Sequence, residues 1–332
     1  YVRLRVSEAE RRQAKHDIQH VEDIVIEMLR NARDAGADKV YLATTKEDGV
    51  RTLVFLDNGS GVPQDMQERI FDARVTSKLE SMKMDRWGVH GRGMALFSIK
   101  QNTDEARVVA SDVDLGSVFK VSVATDRLGE RADQSSWPQA VKDEDGHYVC
   151  ARGPHNIIRA ACEFALEELR ACDVYLGSPS EIAATLHAQA SSRLDASRLL
   201  FIDDEAELPV VDRLGLASDA EDFIRICSGL GLEMSERTAH RILAGQIKPV
   251  RGVTARLLRE RDSSSHASAP VDLAKDRRGL RIAKDDMAQF SRAVERDFND
   301  LASRYYLNLC GDPKIRVSRD RITVTFDLAK EE

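Results

Sequence analysis

Residues 27–40 read EMLRNARDAGADKV and form the second half of an amphipathic helical pattern. Apolar residues recur at helical spacing up to this stretch, and Gly36 is a typical helix terminator. Glu27, Asn31 and Asp34 are separated by four and three positions, so they lie on one face of the helix. The pattern predicts a helix that buries one side in a core and offers carboxylate and amide groups to a cleft. On its own, such a polar face is usually solvated.

A strand pattern at residues 51–56 runs into a second motif, LDNGSGVP. A carboxylate at a strand end, here Asp57, can accept a hydrogen bond from the exocyclic amine of adenine. Gly59 and Gly61 allow the backbone to lie against a flat ring, because neither carries a side chain. A plain turn has a similar composition, so this motif indicates little when it is taken alone.

A third motif, GVHGRGMALFSI at residues 88–99, places Gly88, Gly91 and Gly93 directly before a helical pattern. Unpaired amide groups and the positive end of the helix dipole suit a polyphosphate at such a start. A glycine-rich loop often marks only flexibility. The three motifs together, in one fixed order along the chain, indicate a nucleotide site far more strongly than any one of them.

With ARVTSK at residues 73–78, these motifs resemble the Bergerat ATP-binding fold of the GHKL superfamily, which includes gyrase B, heat-shock chaperones, histidine kinases and MutL. The resemblance covers roughly a third of the chain, and the motifs are most similar overall to those of the MutL type. The phosphate loop is closer to that of gyrase B, because the MutL loop reads FRGEAL. The resemblance implies an α+β fold: an α/β sandwich in which helices cover a mixed sheet.

The resemblance also implies ATP and Mg²⁺ as cofactors, with one role for each matching residue. Glu27 resembles the residue that polarises the attacking water, Asn31 the residue whose amide oxygen coordinates magnesium, and Asp57 the residue that reads adenine. His90 and Arg92 fit either a phosphate contact or plain solvent exposure. The other residues implied to contact the nucleotide are Asp34, Ala35, Gly59, Gly61, Thr76, Ser77, Lys78, Gly88, Gly91, Gly93, Met94 and Ser117.

Residues 74–89 have no clear period and are predicted to form the ATP lid. Glu27 favours hydrolysis, since histidine kinases of the superfamily usually carry Asn at the matching position. The predicted function is a Mg-ATP-binding ATPase that hydrolyses ATP slowly and uses lid closure, with homodimerisation on ATP binding, as a switch in DNA-related or regulatory work. The alternative is a histidine-kinase-like sensor or protein kinase module that signals to a protein partner.

The composition limits the other functional classes. The net charge is −7 and charges of both signs are mixed, which argues against a general nucleic-acid binder. The five cysteines lack zinc-site spacing, which is typical of a reduced cytoplasmic protein. The sequence has no apolar run of membrane-spanning length, so we expect a cytoplasmic protein without membrane contact.

The chain is predicted to divide where its composition changes. The predicted segments are an ATP-binding domain at residues 1–130, a linker at 131–155, a helical domain at 156–262, a linker at 263–270 and a C-terminal segment at 271–332, which contains a helix and a β-hairpin.

Residues 220–244 have a spacing that resembles helix-turn-helix. Residues 236–261 hold seven Lys or Arg against two acidic residues, so a locally basic surface is predicted within an acidic protein. DNA binding through residues 220–261 is therefore a second hypothesis. The alternative is a pair of packed helices with a solvated basic face.

Overall fold

The structure is a computed structural model that describes part of the chain. It divides into two compact units, Tyr1–Ser264 and Ser265–Glu332. The described residues are 2–3, 16–73, 75–76, 83–85, 88–90, 93–194, 204–258, 307–309, 313–317 and 322–330, with helical positions at 287, 290–291, 293–295 and 298.

Five of the six longer helices described in the first unit begin after a polar capping residue, and α2 is the exception. At the first helix, the Asp23 carboxylate accepts a hydrogen bond from the His20 backbone N–H at 2.8 Å. At the fourth helix, the Ser178 hydroxyl accepts from the Glu181 backbone N–H, and the Glu181 carboxylate accepts from the Ser178 backbone N–H. In chain order the helices are α1 (Val21–Asp34), α2 (Ala95–Asn102), α3 (Ile157–Glu167), α4 (Pro179–Arg193), α5 (Ala220–Gly229) and α6 (Glu236–Leu243), with 3₁₀ helices at Gln64–Met66, Arg69–Phe71, Glu205–Glu207 and Arg213–Leu216, and residues 253–258 are also helical.

The strands build one large mixed sheet and several two-stranded pairs. The described strands are β1 (Val2–Arg3), β2 (Lys39–Glu47), β3 (Val50–Asp57), β4 (Val75–Thr76), β5 (Lys83–Asp85), β6 (Gly88–His90), β7 (Glu105–Ser111), β8 (Ser117–Ala124), β9 (Gln139–Lys142), β10 (Tyr148–Arg152), β11 (Asp173–Gly177), β12 (Leu307–Leu309), β13 (Lys314–Val317), β14 (Ile322–Thr325) and β15 (Leu328–Lys330). The large sheet has the order β11-β2-β3-β8-β7. Its pairs are antiparallel except for β11 with β2, which is parallel.

Strand β3 lies at the centre of this sheet and is buried on both faces. Leu53 and Phe55 belong to a core that α1 and α3 complete. Val54 and Leu56 belong to a second core that α4, α5 and α6 complete. A strand covered on both sides needs consecutive apolar residues, which the run LVFL at 53–56 of β3 provides. The predicted sandwich of a mixed sheet and helices is confirmed.

The structure differs from the predicted domain boundaries. Strand β11 lies within the predicted helical domain at 156–262, yet it pairs with β2 of the ATP-binding fold. The predicted linker at 131–155 contains the hairpin of β9 and β10. The first unit therefore continues to Ser264 instead of ending at residue 130. The physical reason is burial, because Val174 and Leu176 of β11 enter the same core as α1.

The second unit contains two antiparallel strand pairs, β12 with β15 and β13 with β14. The predicted C-terminal β-hairpin is β13 and β14. The predicted C-terminal helix and the linker at 263–270 lie largely outside the described residues. Among the described helices, none combines the length and the apolar character that a membrane crossing requires.

Candidate nucleotide-binding site

Asp57 is the last residue of β3, and its side chain is buried, with 4% of its surface exposed. The carboxylate oxygen Oδ1 accepts a hydrogen bond from the Gly59 backbone N–H at 2.8 Å. Burial raises the pKa of this carboxyl from 3.8 to about 7, and the hydrogen bond from Gly59 partly opposes the rise. A further hydrogen-bond donor would therefore strongly stabilise the ionised form of this carboxyl.

The two glycines of the DNGSG motif lie where no side chain fits. A Cβ atom on Gly59 would lie 2.9 Å from the Ala35 Cβ and from Asp57 Oδ1. Gly61 has a φ of +69°, and a Cβ there would lie 1.8 Å from the Asp112 carbonyl oxygen. The Ser60 backbone N–H donates to the Ala35 carbonyl at 2.9 Å. The loop after β3 is thus packed directly against the C-terminal end of α1.

Hydroxyl groups from β7 and β8 complete this end of the sheet. Ser117 is directly opposite Asp57 in the pairing of β8 with β3, and its side chain is buried. The Ser111 hydroxyl lies 3.2 Å from the Ser117 hydroxyl and accepts a hydrogen bond from the Val62 N–H at 2.7 Å. It also donates to the Gly116 carbonyl at 2.8 Å. These contacts fix the loop that follows the DNGSG motif relative to both strands.

The polar face of α1 carries the other predicted residues. Glu27 is 21% exposed, and its Oε1 accepts a hydrogen bond from Arg30 Nη1 at 2.6 Å. Asp34 accepts from Arg33 Nε at 3.2 Å. The Asn31 side-chain nitrogen Nδ2 is buried and has no hydrogen-bond partner among the described residues. A buried amide group without a partner is unfavourable, so a ligand at Asn31 would relieve that cost.

The glycine-rich segment forms a strand pair followed by a helix. Gly88–His90 is strand β6, which pairs with β5 within the predicted lid. Gly93 has a φ of +67°, and α2 begins directly after Met94, which provides no side-chain cap. The first amide groups of α2 therefore suit an anion, and α2 packs against α1.

The structure brings part of the predicted site together. Ala35, Asp57 and Gly59 are in direct contact, and Glu27, Asn31 and Asp34 share one helix. The predicted residues Ser77, Lys78, Gly91 and Arg92 lie outside the described residues, and only the strand position of Thr76 is described.

Sequence reasoning missed two residues of this region, Arg30 and Ser111. Arg30 stands three positions after Glu27, and that spacing could have indicated an ion pair. Ser111 ends β7, and no sequence signal links it to the DNGSG motif.

The family described as "Histidine kinase-, DNA gyrase B-, and HSP90-like ATPase" matches residues 18–111. This range begins before α1 and contains the DNGSG loop and α2. The chain thus carries an ATP-binding domain of the GHKL superfamily, as its motifs predicted.

The chain is also similar to the DNA mismatch repair protein MutL of Staphylococcus aureus. The MutL proteins of strains Newman, JH1 and Mu3 are each 28% identical to it over 136 residues. The match covers 38% of this chain and 20% of each MutL protein. The likeness therefore concerns one region, and the matched part is about a fifth of those relatives.

Proposed function

We propose that this chain binds Mg-ATP beside α1, hydrolyses it slowly and uses the nucleotide state as a conformational switch. The observation that carries the proposal is the buried Asp57 carboxylate next to Gly59 and Gly61, where no side chain can lie. Ionising a buried carboxylate is costly unless a donor reaches it. The exocyclic amine of adenine is such a donor, and the flat ring suits the glycine backbone.

Asn31 is the residue that fits a magnesium ion. Its side-chain nitrogen is buried without a partner, and rotation of the amide by half a turn presents the oxygen at the same position. Magnesium prefers oxygen ligands and usually takes only one or two from the protein, with phosphate oxygens and water completing its shell. When bound, the ion would neutralise negative charge on the phosphates.

Glu27 is proposed as the general base, one helical turn before Asn31. Its carboxylate accepts a proton from the attacking water while the water oxygen bonds to the γ-phosphorus. The bond between that phosphorus and the bridging oxygen breaks, so ADP and inorganic phosphate leave. The positive end of α2 offers amide groups to the phosphate oxygens.

The test compares ATP binding and phosphate release in the intact protein, Glu27→Gln and Asp57→Asn. We expect Glu27→Gln to bind ATP but lose phosphate release, and Asp57→Asn to lose ATP binding. Glutamine is preferred to alanine because it leaves a hydrogen-bond acceptor for the buried Arg30. If the intact protein binds ATP without turnover, hydrolysis is refuted, and a histidine-kinase-like sensor that acts on a protein partner becomes the better account.

The switch is proposed to work through the lid at residues 74–89, with ATP-dependent homodimerisation. The described part of this segment contains the pair of β5 and β6, and β6 leads towards α2. A ligand shifts a conformational equilibrium only by its different affinity for the two states. Light scattering on Glu27→Gln should therefore give a dimer mass with ATP and a monomer mass with ADP. Equal masses in both nucleotides would remove dimerisation from the proposal.

A DNA-related role is proposed for the surface of α6. Helices α5 and α6 contact each other, and Ala239 and Ile242 face the core. The opposite side of α6 exposes Arg237 and Arg241, and Lys248 is exposed in the segment that follows. Exposed cations on a helix that follows a turn suit the phosphates of duplex DNA. The MutL relatives, which are named for DNA mismatch repair, agree with this partner.

Binding of a short DNA duplex at several salt concentrations tests this role. The double variant Arg237→Ala/Arg241→Ala should bind more weakly, and the slope of log K against log salt should fall by about 2. The matched control is Lys142→Ala/Arg152→Ala, which removes two exposed cations from the hairpin of β9 and β10. Equal losses in both double variants would indicate unspecific attraction instead of a binding surface.

A further inference from the structure

Arg30 is a cation buried beside the candidate general base. Its side chain is 3% exposed, and its Nη1 lies 2.6 Å from Oε1 of Glu27. Helical spacing of three positions places the two residues on neighbouring points of one face of α1. The pair of Arg107 with Glu105 is about half exposed, whereas Arg51 with Glu130 and Arg159 with Glu163 are buried like Arg30.

The burial of this ion pair determines how strongly Arg30 restricts the orientation of the Glu27 carboxylate. A guanidinium group removed from water is unfavourable unless a carboxylate faces it at close range. An exposed ion pair exchanges freely with water and orders its partners little. The Arg30 guanidinium is covered by protein, so its hydrogen bond restricts the rotation of the Glu27 carboxylate.

We propose that Arg30 is a positioning residue for ATP hydrolysis. Its guanidinium holds Oε1 of Glu27, which turns the carboxylate into a fixed orientation for accepting the proton of the attacking water. Arginine stays protonated throughout, so the proton rests on Glu27 and passes to solvent after phosphate leaves. The inference rests on the proposed function, because it needs Glu27 to act as the base. It goes beyond that function by assigning the orientation of the base to a second residue.

The experiment measures kcat and KM for ATP in Arg30→Met, Arg30→Lys and the double variant Glu27→Gln/Arg30→Met. Methionine fills a similar volume without charge. We expect Arg30→Met to lose at least about tenfold in kcat, which is part of the roughly 10²–10⁴-fold that a general base contributes, while KM stays within about twofold. Lysine should restore part of the loss, since it offers a cation at a similar distance. In the Glu27→Gln background, Arg30→Met should cost nothing further, because the base it orients is absent.

Arg159→Met is the matched structural control. Arg159 is a buried arginine of α3 that pairs with Glu163 at 2.9 Å, and its other hydrogen bonds go to the Gly153 and Cys150 carbonyls. It should lower stability without a selective loss of kcat, when assayed at a temperature where it is fully folded. The positioning role is overturned if Arg30→Met keeps the kcat of the intact protein, or if its KM for ATP rises as much as its kcat falls. It is also overturned if Arg30→Met lowers kcat by the same factor in the Glu27→Gln background as in the intact protein. If Glu27→Gln itself turns over ATP normally, the proposed function fails, whatever Arg30 does.

Discussion

Replacing Asp57 by asparagine measures what the buried carboxylate costs the folded protein. Burial raises the pKa of Asp57 from 3.8 to about 7, so the unfolded chain loses this proton at a lower pH than the folded chain. Between these two values the folded state binds more protons, and stability falls as pH rises. Each unit of pKa corresponds to about 1.4 kcal/mol, so ionisation costs roughly 4 kcal/mol once the pH exceeds the folded value. Asparagine keeps the shape and an acceptor for the Gly59 N–H but has no charge to bury.

Urea unfolding of the intact protein and Asp57→Asn, without nucleotide, provides the assay. From about pH 4 to about pH 8, we expect the variant to gain roughly 4 kcal/mol relative to the intact protein, with most of the gain complete by neutral pH. Asp104→Asn is the control with the opposite sign. Hydrogen bonds from the Ala124 N–H and from Arg127 lower the pKa of Asp104, so its stabilising effect is lost as pH falls. If the free energies of unfolding of Asp57→Asn and the intact protein differ by the same amount at every pH, the reasoning is refuted.

Three further predictions follow from the same site and core. Gly61→Ala should abolish ATP binding in calorimetric titration, because its Cβ would lie 1.8 Å from the Asp112 carbonyl oxygen. Gly36→Ala is the control: its Cβ would meet nothing within 4 Å, so it should only lose about 1 kcal/mol of stability from its positive φ. Phe223→Ala should cost about 3–5 kcal/mol in chemical unfolding, since the ring is fully buried under the sheet. ATP binding below neutral pH should release a proton, because Asp57 ionises when it accepts a hydrogen bond from adenine. The binding enthalpy should therefore depend on the buffer, and identical enthalpies in two buffers would contradict the predicted proton release.

Local sequence patterns predicted the elements that carry the motifs. The helix ending at Gly36 and the strand at residues 51–56 appear as α1 and as β3, which extends one residue further at each end. Both signals are local, since periodicity and a glycine terminator act within a few residues. Strand β11 was missed because its five residues lie between two helices and gain their partner only from β2, far earlier in the chain. Pairing of this kind is a property of the whole fold.

For the candidate site, the motifs predicted Asp57 and Gly61 from residue type and strand position. The structure gives the first a buried carboxylate and the second a backbone position with no room for a side chain. The burial of Arg30 could not be predicted, since a Glu and an Arg three positions apart usually form an exposed pair. What covers Arg30 depends on elements that pack against α1, and no local pattern reports them.

Strand β3 carries apolar side chains on both of its faces, and this has a consequence for anyone who would excise the ATP-binding region. A fragment cut after residue 130 would take Val54 and Leu56 with it and leave behind the helices that cover them. It would also leave β2 as a bare edge, open to pairing with other chains. The ATP-binding motifs can be recognised within a short stretch, but the smallest piece that could be purified as a stable protein includes the helices downstream.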